Sequence, residues 1–558
     1  MINKNNIWIF PLLIILICFF SIRDFNSRYK RSINGDAKGY YAYLPAIFIY
    51  QDPSYSFIDD METKYYPIDG SHYKEFKNKQ INGKHVNKCF PGLALFYMPF
   101  FFISMIFAWL LHIPIDGYSL PFQLGIGMAH IFYLFLGLYI LSVFFLKLNY
   151  SKIKIWMVFT IFIFGSNIWY YTIYDHSVSH IFNFFLACVY IWTIQKWIES
   201  KDRKWIGVIG AILALFIISR PTNALMILFL PLIFTICNEN ILDFFKQNFK
   251  FKYLLKCYPV VLILIIPPLL WKWQSDLWLV YSYNNEGFDF LSPNWINFLF
   301  SYKKGWFLWS PLVFIIFTTS LFFLLKKSLK IGFLFLTPFL IITYVLSSWW
   351  CWTYGSGMGQ RTMIDFYPFI IVVFLSIIKC NSFKINIITL IYIPFIGLNI
   401  LQCYQIEKSI HRGGETSSTE YWKRFLEWKT IAPSVKIKAN WKLIDQEIQK
   451  GIQKTDNLNH FSKAIESETL NDIKKIVVDL EIGAKHGDLN INLVVSDTKG
   501  EFYKSYNFGD FIYEQPRKMS ICFDIPGNKN KSYITYIWNS DTESKSIIKK
   551  MNVRYYTY

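Results

Sequence analysis

Six short polar clusters interrupt this otherwise apolar chain, and their side chains are of the kinds that bind anions or move protons. The first cluster, at 34–45, contains Asp36, whose carboxylate is a candidate general base toward a hydroxyl group. Lys38, Tyr40 and Tyr41 follow it as candidate substrate-binding residues. The alternative role for Asp36 is that of an N-cap on the short helix predicted after it.

The second cluster, at 84–92, places polar groups just before an apolar run. Lys88 is a candidate ligand for a phosphate, which an ammonium group binds as a point charge. Asn87 beside it is a candidate substrate-binding residue. The alternative for Lys88 is an interfacial lysine whose head group extends into water.

The third cluster, at 174–180, contains Asp175, His176 and His180. Histidines spaced i, i+4 can bind a metal on one face of a helix, but the glutamate of an HExxH motif is missing here. We therefore expect no metal, and we interpret the three residues as candidate substrate contacts. An ordinary helix start is the alternative.

Two arginines mark the fourth and sixth clusters. Arg220 lies between two apolar segments, where a charge is costly and usually functional, and arginine pairs bidentately with phosphate oxygens. Arg361 ends the cluster at 349–361, in which Trp352 and Tyr354 offer aromatic faces to a sugar ring. The alternatives are an arginine that extends to the interface and an interfacial aromatic belt.

The composition excludes an ordinary soluble enzyme. Of 558 residues, 53% are hydrophobic and 17% are charged, whereas soluble domains carry about 25% charged residues. The net charge of +19 is concentrated in short loops, and no nucleic-acid-binding motif accompanies it, so we expect no nucleic-acid partner. Nine scattered cysteines do not form the spacing of a zinc site or a disulfide framework. The chain is therefore predicted to be a polytopic α-helical membrane protein.

Twelve apolar segments approach the length of about 20 residues that a membrane span requires. The first is interpreted as a retained span because no signal-peptide cleavage site follows it. The predicted spans are 7–22, 91–112, 121–146, 153–172, 176–195, 205–219, 222–237, 257–272, 306–325, 331–348, 363–379 and 385–402.

Basic loops predict the orientation of these spans. Positively charged loops stay in the cytoplasm, and the chain has five of them, at 147–154, 196–204, 246–256, 326–330 and 379–384. The loops between them, and the C-terminal region, are then outside. If 23–90 is also outside, one of the segments 91–112 and 121–146 is a re-entrant or interfacial helix, which gives 11 spans in all. If 23–90 is cytoplasmic, both segments cross and the total is 12.

The pattern changes near residue 405. We predict a membrane domain over 1–404 and an extracytoplasmic domain over 405–558, which begins with a helix at 421–429. Short alternating runs separated by turn signals predict an antiparallel β-sandwich. The predicted strands are 475–480, 489–495, 501–506, 520–523 and 532–538.

The order of the clusters resembles that in the GT-C superfamily of membrane glycosyltransferases, especially the protein O-mannosyltransferase and aminoarabinose-transferase type. The resemblance covers residues 5–400 and rests on order and position. The matching segments are NGDAKGYYAYLPA at 34–46, NKCFPGLALFYMPFF at 87–101, SRPTN at 219–223, FSYKKGWFLWSPL at 300–312 and WTYGSGMGQRTMIDFYP at 352–368.

The resemblance implies transfer, with inversion, of a sugar from a polyprenyl-phosphate donor to a glycan, lipid or protein acceptor outside the bacterial plasma membrane. Asp36 occupies the place of the family's base, and the resemblance also places the 23–90 loop outside. Lys38 stands where the family often has a second acid, so a metal-binding DxD motif is missing and no cofactor is expected. Arg220, Arg361 and Lys88 are the candidate ligands of the donor phosphate.

Two other classes of function remain open at this point. The chain could be a transporter or flippase of lipid-linked glycans, or a non-catalytic membrane scaffold with a glycan-binding ectodomain. Transporters often contain internal repeats and broken helices, and the sequence shows no repeat. The confinement of polar clusters to the predicted outer loops favours an enzyme.

Overall fold

The chain folds into two compact units. The computed structural model describes residues 9–22, 32–65, 79–81, 83–176, 178–248, 256–283, 286–380, 385–408, 410–411, 413–414, 416–428, 442–454, 465–467, 473–485, 491–497, 503–507, 517–525, 532–539 and 545–557. Among the described residues, the second unit comprises Lys408, Ile410 and those from Glu427 onward, and the first unit comprises the rest. The boundary thus lies beyond the predicted one at 404, because the helix Ser418–Lys423 packs in the first unit: its Tyr421 hydroxyl accepts a hydrogen bond from Gln402 at 2.9 Å.

The first unit is mostly helical. Its α-helices are α1 (Ile9–Ile22), α2 (Asp36–Pro45), α3 (Phe57–Tyr65), α4 (Gly92–Leu110), α5 (Leu120–Lys147), α6 (Lys152–Gly165), α7 (Ile168–Ile173), α8 (His180–Ser200), α9 (Lys204–Ser219), α10 (Leu230–Ile236), α11 (Ile241–Asn248), α12 (Tyr258–Leu264), α13 (Ile266–Ser275), α14 (Trp295–Phe300), α15 (Pro311–Lys327), α16 (Leu329–Ser347), α17 (Tyr367–Cys380), α18 (Ile385–Glu407) and α19 (Ser418–Lys423). The described residues of this unit also include a π-helical turn (Ala46–Tyr50), the 3₁₀ helices Pro221–Phe229 and Arg361–Phe366, and a hairpin of β1 (Lys79–Ile81) and β2 (Lys84–Val86).

Within the part of the chain that the structure describes, five helical segments are long and apolar enough to cross a membrane, which supports the prediction of a membrane protein. Each predicted span is helical over part of its length, but several of these helices are short or broken. The five candidate spans are Gly92–Leu110, Leu120–Lys147, His180–Ser200, Leu329–Ser347 and Arg361–Ile378.

Contacts between α5 and α8 define the two ends of this bundle. The helices run parallel: His130 Nε2 on α5 lies 3.3 Å from the carbonyl oxygen of Val178, just before α8. Near their other ends, Lys147 Nζ lies 2.8 Å from a carboxylate oxygen of Glu199. We call these the His180 end and the Lys147 end.

Helix α4 packs along the first half of α5 and runs in the opposite direction. The ring of Phe96 contacts that of Tyr133 of α5, and the Ser104 hydroxyl lies 2.9 Å from the carbonyl oxygen of Pro121, in the first turn of α5. Gly92 at the start of α4 touches the backbone of Ser219, the last residue of α9. Helix α5 continues beyond these contacts to the Lys147 end.

Helix α2 packs along α4 instead of lying exposed on a surface. Tyr41 is fully buried, its ring meets Tyr97 and Phe101, and its hydroxyl donates to the carbonyl oxygen of Gly117 at 2.5 Å. The structure thus places the Tyr41 side chain, a predicted substrate contact, in the core of the bundle.

The second unit is a β-sandwich, as predicted. Its two antiparallel sheets have the strand orders β3-β10-β5-β8 and β4-β9-β6-β7. Buried side chains from both sheets, including Val478, Leu493, Ile521 and Val553, form one core. The strands are β3 (Lys442–Lys454), β4 (Ile465–Glu466), β5 (Lys475–Lys485), β6 (Ile491–Asp497), β7 (Tyr503–Asn507), β8 (Arg517–Asp524), β9 (Tyr533–Asn539) and β10 (Lys545–Thr557).

The contact between α4 and α9 predicts that Gly92→Ala destabilises the bundle. A Cβ at Gly92 would lie 2.5 Å from the backbone nitrogen of Ser219, and overpacking of this kind costs about 1–3 kcal/mol. Thermal unfolding in detergent measures the loss. Gly397→Ala, where an added Cβ meets nothing within 4 Å, is the matched control; equal stability of the two variants would contradict the packing of α4 described here.

Candidate active site

An ion pair at the His180 end joins residues that are far apart in sequence. A guanidinium nitrogen of Arg361 lies 2.6 Å from a carboxylate oxygen of Asp36. The Asp36 side chain is 47% exposed and the Arg361 side chain only 11%. Asp36 is the first residue of α2, and no side chain caps that helix. The structure thus gives the Asp36 carboxylate an arginine partner and not the N-cap role.

Arg361 retains unused hydrogen-bonding capacity. Its Nη2 donates to Asp36, but its buried Nε meets no acceptor among the described residues. The charge of Asp175 also acts on Arg361. A planar donor of this kind is suited to the oxygens of a phosphate.

Arg220 is the second cation of the site. Its guanidinium lies 5.6 Å from the centre of the Tyr354 ring, a cation–π distance. The Tyr354 hydroxyl donates to the carbonyl oxygen of Leu346 at 2.9 Å, which fixes the ring. The charge of Arg220 acts on Tyr40 of α2 and on Arg361, so the two arginines share one neighbourhood.

A buried polar triad lies beside Arg220. His180 Nδ1 is 2.7 Å from a carboxylate oxygen of Asp365, and the side chains are 0% and 1% exposed. The second oxygen of Asp365 accepts a hydrogen bond from the Asn223 amide at 2.8 Å. Arg220 Nη1 lies 3.4 Å from His180 Nε2. The sequence analysis did not single out Asp365 or Asn223, although both occur in segments that carry the family resemblance.

A glycine-rich loop carries Arg361 into the site. Gly355, Gly357 and Gly359 all have positive φ, at 77°, 99° and 53°, a region that favours glycine. The absence of side chains there admits protein groups: a Cβ at Gly357 would lie 2.7 Å from the hydroxyl oxygen of Tyr171. The loop is thus packed tightly against α7.

Lys304 holds this loop from the other side. Its ammonium group is 2.8 Å from the carbonyl oxygen of Ser356 and 3.3 Å from that of Gly355. Burial lowers the pKa of Lys304 well below that of a free lysine, and the charge of Arg361 lowers it further. Lys304 thus acts as a hydrogen-bond donor to the loop.

The segment that follows α18 rests on the same loop. Gly413 is so close to the backbone of Gly357 that a Cβ would lie 2.6 Å from it. The backbone nitrogen of Gly414 donates to the carbonyl oxygen of Lys303 at 3.3 Å. We call Gly413 and Gly414 the strap.

Lys88 and Asn87 have partners within the protein. Lys88 Nζ is 2.5 Å from a carboxylate oxygen of Glu286 and lies over the Tyr283 ring. The buried Asn87 amide donates to the carbonyl oxygen of Gly39 at 2.8 Å, and its oxygen accepts from the backbone of Cys89. Asn87 is therefore a structural contact at the start of α2, and the charge of Lys88 is partly neutralised by Glu286.

His176 is separate from the site chemistry. Helix α8 begins at His180, so His176 and His180 do not share one helical face. His176 Nε2 lies 2.9 Å from the carbonyl oxygen of Thr172, and its ring packs on Phe19 and His130. Among the described residues no group of three potential ligands could hold a metal.

The remaining candidates differ in exposure and in their relation to the arginines. Lys38 and Tyr40 on α2 are buried, and Asp175 and Trp352 are partly buried. Burial raises the pKa of Tyr40, so its hydroxyl stays neutral. Tyr40 and Asp175 interact electrostatically with Arg361, whereas the Trp352 carbonyl accepts a hydrogen bond from Gln360 at 3.1 Å.

Comparisons with known proteins add no assignment. No family model, curated protein or solved structure matches this chain.

The packing of the glycine-rich loop predicts that Gly357→Ala destabilises the protein by more than the strain of its left-handed backbone alone would. Both Gly357 and Gly83 have positive φ, but a Cβ at Gly83 meets nothing within 4 Å, so Gly83→Ala is the matched control. We expect Gly357→Ala to lose about 1–3 kcal/mol more in detergent unfolding. Tyr171→Phe, which removes the clashing hydroxyl, should restore part of that loss; equal losses for both glycine variants would disprove the contact.

Proposed function

We propose that this protein is a membrane glycosyltransferase that moves a sugar from a polyprenyl-phosphate donor to an acceptor hydroxyl with inversion. The observation that carries the proposal is the Asp36–Arg361 ion pair, with Arg220 beside it, at one end of an apolar helical bundle. A carboxylate and two arginines supply a base and an anion site in one place. The resemblance to GT-C glycosyltransferases supports the same activity.

The donor phosphate would bind Arg361 and Arg220. Arginine is suited to phosphate because its planar fork matches two oxygens, and Arg361 Nε is a buried donor with no acceptor among the described residues. When the sugar leaves, negative charge grows on the phosphate, and preorganised cations stabilise it in the transition state. The Tyr354 ring and the His180 contact hold Arg220 ready for this role.

Asp36 would then act as the general base. The acceptor oxygen attacks the anomeric carbon, the bond from that carbon to the phosphate oxygen breaks, and its electron pair leaves with the phosphate. Asp36 takes the acceptor proton. A phosphate that binds Arg361 competes with Asp36 for the guanidinium, so donor binding frees the carboxylate to accept that proton.

The helical connections support an outward-facing site. α1 ends beside His176, because Phe19 packs on that ring, and α5 and α8 both run from the His180 end to the Lys147 end. The predicted cytoplasmic loops 147–154 and 196–204 follow those two helices. By the positive-inside rule, this proposal has Asp36 outside the bacterial plasma membrane.

The topology predicts that a reporter fused after Cys403 is exported. Alkaline phosphatase should be active there, and it should be inactive when fused after Asp202 in a basic loop. The opposite pattern would put the site on the cytoplasmic side and would contradict the proposed donor orientation.

Because Asp36 and the donor phosphate compete for Arg361 in this proposal, Asp36→Asn should have opposite effects on sugar transfer and on phosphate binding. Loss of the base should reduce sugar transfer at least about 10²-fold, whereas loss of the competing carboxylate should tighten binding of undecaprenyl phosphate. Transfer is measured in membranes by mass spectrometry of lipid-linked and acceptor-linked sugars, and binding is measured with the full-length protein in detergent.

The paired readout separates the roles of Asp36. Arg361→Lys is the comparison variant, since it keeps a charge but loses the bidentate fork, and it should weaken phosphate binding. Near-normal transfer by a folded Asp36→Asn protein would remove Asp36 as the base. Unchanged phosphate binding would remove the competition for Arg361.

A further inference from the structure

The buried triad of His180, Asp365 and Asn223 beside Arg220 has a fixed order of donors and acceptors. The proposed mechanism does not use it. Asp365 accepts hydrogen bonds through both carboxylate oxygens, one from Asn223 at 2.8 Å and one at His180 Nδ1 at 2.7 Å. An ionised Asp365 can only accept, so His180 Nδ1 must carry the proton of that contact. The carboxylate thereby selects the histidine tautomer.

The other ring nitrogen of His180 faces a donor. Arg220 Nη1 lies 3.4 Å from His180 Nε2, and a guanidinium offers only N–H groups. If Nε2 also carried a proton, two donors would point at each other. The geometry therefore requires a neutral imidazole whose Nε2 lone pair accepts from Arg220.

We propose that His180 is the positioning residue for Arg220, and that Asp365 sets the tautomer in which it works; this inference rests on the proposed role of Arg220 in phosphate binding. The buried Asp365 carboxylate orients the His180 ring, and the ring in turn orients the Arg220 guanidinium at the site. One guanidinium nitrogen is tied to His180, and the Tyr354 ring lies under the guanidinium group with its centre 5.6 Å away. The remaining N–H groups then point consistently toward a phosphate.

The fold builds this chain from three separate elements. His180 opens α8, Arg220 and Asn223 flank the start of the first 3₁₀ helix, and Asp365 lies in the second 3₁₀ helix. Arg361 lies one turn before Asp365 in that second helix. The same short helix therefore presents one arginine directly and orients the other through His180.

Two substitutions at His180 separate positioning from packing. His180→Asn places an amide near the Nδ1 position, so it keeps the donor to Asp365 but loses the acceptor for Arg220. His180→Gln places its amide near Nε2 and can accept from Arg220. We measure the dissociation constant of undecaprenyl phosphate with the full-length protein in detergent, and thermal unfolding of each variant in parallel.

We expect His180→Asn to bind undecaprenyl phosphate about tenfold more weakly than wild type, since a hydrogen bond to a charged group contributes on this order. His180→Gln should recover most of that loss. Equal affinity of all three proteins, or better binding by His180→Asn than by His180→Gln, would overturn the proposal.

A cycle of unfolding measurements tests the contact without any donor. The stability effects of His180→Asn and Arg220→Gln should be non-additive, because each removes one partner of the same hydrogen bond. Additive effects would overturn the proposal. The two measurements can also disagree. If the cycle is non-additive but the wild-type protein does not bind undecaprenyl phosphate, the His180 contact is supported and the proposed function is contradicted.

Discussion

Burying an arginine at the end of an apolar bundle costs free energy, and this cost determines how the site is built. A buried guanidinium needs an anion, an aromatic face or an acceptor lone pair, and the chain supplies one of each. Arg361 has the Asp36 carboxylate, and Arg220 has the Tyr354 ring and His180 Nε2. Helix α2 carries Asp36, α8 begins with His180, and the glycine-rich loop carries Tyr354. The positions of these three elements therefore bring the partners to the two arginines.

The sequence predicts which segments are polar but not how they meet. Asp36 and Arg361 are recognisable as candidates because ionisable residues interrupt apolar runs, yet their pairing is a tertiary contact that no local pattern encodes. Tyr41 and Asn87 illustrate the converse. A buried polar group that satisfies a backbone partner has the same local sequence as one that binds a ligand, so both were predicted as site residues and belong to the core. The role of Asp365 is not predictable from the sequence, because a single acid in an apolar run does not indicate its partner.

Alternation predicts the β-sandwich well where strands are half buried. The predicted segments 475–480 and 520–523 lie inside β5 and β8, whose inward residues form the core. The long strands β3 and β10 were not predicted. β3 lies at a sheet edge and is rich in Lys and Gln, and β10 contains adjacent lysines where its register shifts. Edge position and irregular pairing both weaken the hydrophobic alternation on which such predictions depend.

The strap changes how a shortened chain should be understood. Gly413 and Gly414 belong to the bundle unit, and they touch the loop that presents Arg361. A protein ending at residue 404 would lose this support along with the sandwich, and its inactivity would wrongly suggest that the sandwich takes part in the chemistry. A protein ending at Leu426 removes the sandwich alone. The boundary seen in the structure therefore decides which truncation can separate the roles of the two units.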